Sequence, residues 1–348
     1  MEIELGELAC LLGGKLTNPA QAGVKVFGAR SLEAAGPGDL AFLWDDKYLA
    51  AAKTSMASAV IAKEARAGQT FIIVSDPKAA MLKLLGQTYE MRHPELPSGV
   101  HATAFVSQEA TLGKDVAVGP GAVIEAGTLI GARTQIRGRA YIGHNVTIGE
   151  DCQVHPNATI LDHCRLGDRV AVWSGAVIGK DGFGFLQRGG KNVRIPHVGT
   201  VIIKDDVEIG ALSTVARGAI ENTIVGKGVI IDDHCHVAHN CVIGDYTVIC
   251  GRTAMGGSVT VGKNVYLLQD SGISNGRSVG DGATVGTGAR VVHKDLAPRE
   301  QIAAAATNYT PVTAKKIQLI LPKLPGMRLR LKNLEKRVDE LSNGQHQT

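Results

Sequence analysis

Aliphatic side chains recur at every sixth position through most of this sequence. Counting from Val106 they are Leu112, Val118, Ile124, Ile130, Ile136, Ile142, Ile148, Val154, Ile160, Leu166, Val172 and Ile178, without exception. The residues two places earlier, from Ala104 and Ala110 to Cys164, Val170 and Ala176, are all small or β-branched. Side chains two apart lie on the same side of a strand, so each hexad supplies one short strand with two inward positions. Glycine often follows the aliphatic position, as at Gly113, Gly131 and Gly149, which suggests turns with backbone angles that other residues resist. Strand and turn alternating at this period predict a mainly β fold. It is a left-handed parallel β-helix of hexapeptide repeats, with three strands to a coil of about 18 residues.

The frame breaks after Ile178, resumes at Ile203, Ile209 and Val215, and shifts again near Glu221. From Val225 to Val291 it then runs without a miss. A sandwich of alternating strands does not hold one phase over so many repeats. One residue offends the pattern: Arg277 occupies a small-residue slot two places before Val279. A guanidinium inside a dry prism is costly, so a local distortion or an outward turn is expected there. The excursion Gly179 to Val201 carries Asp181-Gly-Phe-Gly-Phe185 and a basic, glycine-rich stretch ending at Arg194. Two aromatics there, in a chain so short of them, favour a functional loop.

The two ends lack the repeat. Residues 1–98 alternate helical stretches (Leu5 to Leu12, Asp46 to Lys53, Lys78 to Tyr89) with strand-like ones (Ala59 to Ile61, Thr70 to Val74). They predict a small α/β domain. His93-Pro-Glu-Leu-Pro-Ser-Gly99 is the linker to the β-helix at 99–293. The extension 294–348 is punctuated by Pro298, Pro311, Pro322 and Pro325 before a helix from Gly326 to Leu341. Met327, Leu331, Leu334, Val338 and Leu341 form a seam for a partner helix. Lys315, Lys316, Lys323, Arg328, Arg330, Lys332, Lys336 and Arg337 make this tail basic, which suits self-association together with an acidic macromolecular partner.

Composition narrows the classes. Only 4% of residues are aromatic against 44% hydrophobic, and 43 are glycine, so the core is built from aliphatics and alanine between tight turns. A net charge of +4 gives no general nucleic-acid role. Acidic Glu2, Glu4 and Glu7 argue against a signal peptide, and no apolar run reaches membrane-spanning length. The six cysteines lack CxxC spacing, which points to free thiols and a cytoplasmic location. Four of them (Cys152, Cys164, Cys235, Cys241) fall in the small-residue slot and read as packing.

Candidate chemistry gathers in Asp232-Asp-His-Cys-His-Val-Ala-His-Asn240. Three readings stand side by side. His234, His236 and His239 could bind a metal, although the frame turns Cys235 inward. All three could be solvated polar positions. Or His239 is a general base, with Asp232 one repeat earlier to orient it; a group of near-neutral pKa suits proton removal from an amine or hydroxyl attacking a carbonyl. Phe42-Leu-Trp-Asp-Asp-Lys-Tyr48 concentrates three aromatics and reads either as a core corner or as a surface where a base stacks.

Gly179-Lys-Asp-Gly-Phe-Gly-Phe185, Ile195-Pro-His-Val-Gly199, Val207-Glu-Ile-Gly210, Ile230-Ile-Asp-Asp233 and Val237-Ala-His-Asn240 resemble the UDP-3-O-(3-hydroxyacyl)glucosamine N-acyltransferases of lipid A synthesis. The Phe42–Tyr48 segment and the C-terminal helix match as well, so the similarity covers almost the whole chain. The resemblance implies a homotrimer without cofactor or metal. It implies a UDP-sugar held between subunits, its uracil stacked by Phe42 and Tyr48, with Asp45, Lys47, His155 and Asn240 as further binding residues. His239 would take a proton from the 2-amino group as it attacks a 3-hydroxyacyl thioester on acyl carrier protein. Asp232 would orient His239, and the Gly257 amide would hold the oxyanion. The basic tail would meet the acidic carrier protein.

The chain departs from that family at three places. Ala216-Arg-Gly-Ala219 stands where the family has Asp-Arg-Gly-Ala, Asn275-Gly276 where it has Gly-His, and Asp45 where it has Asn. Two competing readings follow: a divergent paralog that binds sugar nucleotide or carrier protein with poor turnover, and a zinc lyase on the same fold.

Overall fold

The computed structural model describes all residues except Met1, Ala67, His93, Pro94, 304–315, Gln318 and 345–348. His93 and Pro94 of the linker, and Pro311 and Lys315 of the tail, therefore lie outside the described residues, as does the side chain of Leu341. The chain divides into two compact units, Met1–Glu95 and Leu96–Thr348.

The second unit is a left-handed parallel β-helix. Its described strands stack into three parallel sheets of 11, 10 and 9 strands, one on each face of the prism. In the regular coils each two-residue strand pairs with the one 18 residues on, as Val118 with Ile136 and Ile136 with Val154. The aliphatic hexad positions fill one continuous core; Ile124, Ile136, Ile142, Val154 and Ile160 are all fully buried. The small slot is more than a matter of size. Thr128 Oγ1 donates to the Gly143 carbonyl (2.7 Å) and accepts from Val146 N (3.2 Å). Cys152 Sγ makes the same pair of contacts with the Gly167 carbonyl and Val170 N. Hydroxyl and thiol here satisfy corner backbone groups that face the dry interior. All four slot cysteines are buried and unpaired. Burial pushes the thiols of Cys152, Cys235 and Cys241 up to about 11.

The glycines after the aliphatic positions serve a different purpose from the expected one. The left-handed backbone falls two residues later in each hexad, and ordinary residues such as Asp115, Arg133, Asn145 and Asp151 adopt it (φ 54 to 58°). Their N–H groups bond carbonyls of the coil below, as Arg133 N with Lys114 O (2.8 Å), which offsets the steric cost. Gly113, Gly131 and Gly149 are instead sites of close approach: a Cβ on Gly131 would lie 2.5 Å from the Gly149 carbonyl carbon. Coil stacking, not turn conformation, excludes a side chain there.

Both departures from the frame are corner excursions, and both leave the same corner, between the second and third faces. The first runs from Val177–Lys180 to Val201–Ile203 and contains an antiparallel hairpin, Phe185–Arg188 with Lys191–Arg194. The second, one coil later, runs from Thr214–Ala216 to Thr223–Val225 and stretches the repeat from 18 to 22 residues, so that Val215 pairs with Val237. They are joined by Val198 N to Ala219 O (2.9 Å) and Gly199 N to Gly218 O (3.1 Å).

Arg277 keeps a regular coil backbone, its carbonyl accepting from Thr260 N (3.1 Å). Its side chain turns outward, 3.6 Å from Asp295 and about one-third exposed. Beyond Ser278–Val279 the third face continues only as a single bridge from Val279 to Leu296, and the guanidinium leaves the coil beside Asp295.

In the first unit, a five-stranded sheet runs in the order Lys15–Leu16, Phe71–Ile73, Ala59–Ala62, Asp39–Leu43, Gly28–Ala29. The last four strands are parallel. Helices Leu5–Leu11 and Pro77–Arg92 contribute Leu5, Leu8 and Leu84 to a core with Leu40, Phe42 and Ile61; Ala52 of helix Leu49–Thr54 packs with Ala41, Leu43 and Val60. Among the described residues no helix is long and apolar enough to cross a membrane.

Candidate active site

His239 sits on the corner that carries both excursions. The regular repeat places Gly257 one coil on and Asn275 one coil further, so the three form a column. A Cβ on Gly257 would lie 2.5 Å from both Cε1 and Nε2 of His239 and 3.0 Å from Asn275 Oδ1. The missing side chain thus leaves a gap bordered by an imidazole nitrogen and an amide. On the opposite edge of the imidazole, a Cβ on Gly182 would come within 2.6 Å of His239 Cβ and 2.6 Å of His197 Nε2. The Asp181–Phe185 loop can lie over the histidine because it has no side chain at 182.

The tautomer of the neutral His239 ring is set by its neighbours. Asn240 Oδ1 accepts from Ala219 N (3.0 Å), and Asn240 Nδ2 donates to the Glu221 carbonyl (3.0 Å), which fixes the orientation of the amide. The contact of that same Oδ1 with His239 Nδ1 (3.0 Å) therefore requires Nδ1 to be the donor. Nε2 is then the bare nitrogen, on the edge that borders Gly257. Asn240 was expected among the substrate-binding residues; its amide is instead taken up by the excursion backbone and the imidazole.

Arg217 braces the corner. Its Nε donates to the Gly179 carbonyl (2.5 Å) and Nη2 to the Asp162 carbonyl (2.8 Å), with Asp181 3.9 Å away. Preceding it, Ala216 is buried. Phe183 is largely exposed at the loop tip and packs edge-on against Phe185 (4.9 Å).

Two expected members of the site lie elsewhere on the chain. Asp232 does not orient His239 within the chain: its oxygens accept from Asp233 N and Gly251 N, both at 2.8 Å. Seven residues along a six-residue repeat lead to the next corner of the prism, not to a neighbour in the stack. His155 follows a first-face strand and stacks on Trp173 (centroids 4.1 Å apart), whose Nε1 donates to Glu208 (2.6 Å). Burial and the nearby Arg137 charge hold the His155 pKa down at about 4. The histidine cluster disperses too. His234 takes a left-handed turn position (φ 57°), and His236 projects from the second face to contact Thr214 Oγ1 (2.6 Å). Burial, then the charges of Lys180 and His239, lower the His236 pKa. Among the described residues no group of three His, Cys, Asp or Glu is placed to hold a metal ion.

In the first unit, Phe42 is a buried core residue of strand Asp39–Leu43 that also lines a cleft with Arg30, Trp44, Tyr48, Met81 and Leu85. Trp44 stands between the other two rings, 6.5 Å from Phe42 and 6.0 Å from Tyr48. It is 40% exposed and belongs to the same aromatic cluster, although the resemblance implies stacking by Phe42 and Tyr48 alone. Asp45 caps the short turn Asp46–Tyr48 by accepting from Lys47 N (3.0 Å), and that bond holds its carboxyl below the usual range. Lys47 Nζ lies 3.3 Å from Asp45 and 4.9 Å from the Tyr48 ring centroid. His197 was missed; its only signal was the Ile195-Pro-His-Val-Gly199 match.

Known proteins share both units. The family profile described as UDP-3-O-(3-hydroxymyristoyl) glucosamine N-acyltransferase, LpxD, matches residues 24–86, and that described as bacterial transferase hexapeptide (six repeats) matches residues 145–180. The UDP-3-O-acylglucosamine N-acyltransferase of Coxiella burnetii (strain RSA 493 / Nine Mile phase I) is 41% identical over 249 residues, 70% of this chain and 71% of the relative. The enzyme of that name from Pseudomonas syringae pv. tomato is 36% identical over 248 residues, 70% of each chain. Among solved structures, the Arabidopsis UDP-N-acetylglucosamine acyltransferase superposes with a TM-score of 0.51 at 23% identity, covering 59% of this chain and 71% of that one, a likeness of fold. On its identity to these relatives, the chain belongs to the UDP-3-O-acylglucosamine N-acyltransferase family.

Proposed function

We propose that this enzyme transfers a 3-hydroxyacyl group from acyl carrier protein to the 2-amino group of a UDP-3-O-acylglucosamine, with His239 as general base. The observation that carries the reading is the bare Nε2 of His239 at the gap over Gly257. The amine nitrogen attacks the thioester carbonyl from that gap and loses a proton to Nε2. The C–S bond then breaks, the amide forms, and the leaving thiolate takes the proton back from His239. Products are the N-acylated sugar and the carrier thiol, and the base is regenerated. The backbone N–H of Gly257 supports the tetrahedral oxyanion.

Asn240 takes the orienting role first given to Asp232, since it holds the Nδ1 proton that leaves Nε2 free to accept. The cleft of Phe42, Trp44 and Tyr48 receives the uracil, with Asp45 and Lys47 at its edge. His155 serves the sugar nucleotide from a different corner of the prism, as a homotrimer with sites between subunits would allow. The basic faces of the tail and of the hairpin (Arg188, Lys191, Arg194) suit an acidic carrier protein. The enzyme works in the cytoplasm, where both substrates would be found.

The test is an acyl-transfer assay with UDP-3-O-acylglucosamine and 3-hydroxyacyl carrier protein. The wild type should form the N-acyl product, and His239→Ala should lower kcat by at least about 10²-fold, the usual share of a general base. Undiminished turnover in His239→Ala would sink the mechanism. Wild-type binding of sugar without turnover would favour the paralog.

A further inference from the structure

His197 lies against the candidate site, and none of the roles above uses it. It is 7% exposed, on the irregular segment that follows the hairpin and leads back to the coil. Its ring is edge-on to His239, with centroids 5.4 Å apart and planes at 76°. Nδ1 lies 2.9 Å from the Ile195 carbonyl, which only accepts, so Nδ1 carries the proton and Nε2 the lone pair. That Nε2 is buried and has no hydrogen-bond partner among the described residues. It lies toward Gly182, at the same point that the Cβ and Cδ2 of His239 approach (2.6 and 2.8 Å). A buried acceptor left without a donor costs free energy, and glycine at 182 and 184 lets both the loop and the ring close on His239.

We infer that His197 is a positioning residue for His239. Its fixed lone pair borders the same Gly182 gap as the Cβ–Cδ2 edge of the imidazole and stabilises the imidazolium formed when His239 accepts a proton. When Nε2 of His239 accepts a proton, positive charge spreads over the ring to Cδ2–H, and a buried lone pair across the Gly182 gap attracts it. The effect is to raise the basicity of His239 without contact with substrate. The other groups around His239 act differently. Lys180 and Arg217 with Asp181 come from the first and second excursions, His236 from the second face, and Asn275 from the coil beyond. Asn275 borders the opposite edge of the ring, which leaves His197 as the acceptor on the Cδ2 side.

The inference rests on His239 being the base, but its test does not need turnover. The His239 pKa is measured by NMR on labelled full-length protein, as wild type, His197→Phe and His197→Gln. Phenylalanine keeps a ring without an acceptor; glutamine keeps an acceptor without a ring. The pKa should fall by about half a unit or more in His197→Phe and stay within about 0.2 unit of wild type in His197→Gln, a direction set by loss of a group that favours the charged form. The acid limb of kcat/KM should move with it. In the wild type, which needs no variant to fold, the His197 ring nitrogens should shift in step with the His239 titration. Equal pKa values in all three proteins, equal drops in both variants, or His197 signals indifferent to His239 would overturn it. If instead His239→Ala keeps its turnover while these shifts appear, the base assignment fails and the coupling of the two rings stands.

Discussion

At the scale of single residues, the gap over Gly257 is the feature most exposed to test. A methyl group there would sit 2.5 Å from two atoms of the His239 ring, closer than any real contact, so the imidazole must turn away. Gly257→Ala should therefore lower kcat by about 10²-fold, as expected when a reacting group is misplaced by an ångström. Its melting temperature should stay within a few degrees of wild type, because the added methyl would point at the His239 ring and Asn275 and not into the aliphatic interior. A variant that turns over normally would move the reacting centre elsewhere. His155 offers a pH test. Its folded pKa of about 4 lies below the ordinary 6.5, so between these values the unfolded chain binds a proton that the folded chain refuses. Stability should fall as pH drops from about 6.5 to about 4 and level off below. His155→Phe, which keeps the stack on Trp173, should flatten that part of the melting-temperature profile. What the sequence revealed at this scale followed the repeat. Counting hexads turns Cys235 inward, whereas Gly257 was named only through the family resemblance, although it lies three hexads beyond His239. Within one chain Asp232 lies at a different corner from His239, because seven residues along a six-residue repeat lead to the next corner. The lone pair of His197 depends on a carbonyl two residues away, which no periodicity encodes.

At the scale of elements, the breaks in the hexad frame marked where the coil opens but not that both openings share a corner. That coincidence depends on which face each insertion leaves, and so on counting strands modulo three across an irregular stretch. Arg217 is what ties the pieces together. It is 12% exposed, and its two carbonyl partners come from the first excursion and from the coil below. Arg217→Met keeps the length of the side chain and removes both bonds, leaving two carbonyls short of a partner; by the usual penalty for such groups this should cost about 2–4 kcal/mol. Hydrogen exchange measured by mass spectrometry should quicken in peptides covering 179–184 and remain slow in the coils from 123 to 160. Uniform exchange across the β-helix, or no change at all, would show that the hairpin is held by other contacts. The N-terminal unit was less legible for a similar reason. Its helices were apparent from their length, whereas Gly28–Ala29 and Lys15–Leu16 are strands of two residues, held by pairing and not by any local pattern.

For the whole molecule, a stack of coils buries its interior without help from outside, so what it leaves uncovered is informative. The helix Leu324–Gly344 presents Met327, Leu331, Leu334 and Val338, each more than half exposed, at spacings of four, three and four residues. A helix of this length is marginal in water unless an apolar stripe is packed, and among the described residues nothing covers this one. Three copies of the seam meeting in a bundle would cover these residues, in keeping with the proposed homotrimer. Leu331→Asp combined with Leu334→Asp places two carboxylates on the seam and leaves every coil of the β-helix intact. Light scattering should give three chain masses for the wild type. If the seam carries assembly, the variant should shift toward one chain mass and lose part of its helical circular dichroism at micromolar concentration. Should it remain trimeric with reduced helicity, association belongs to the faces of the prism, where Ile230 and Tyr266 on the first face and Val242 on the third are also exposed, and the helix is an appendage ordered by the trimer. A monomeric wild type would remove the shared site from the proposal and oblige His155 to act apart from His239.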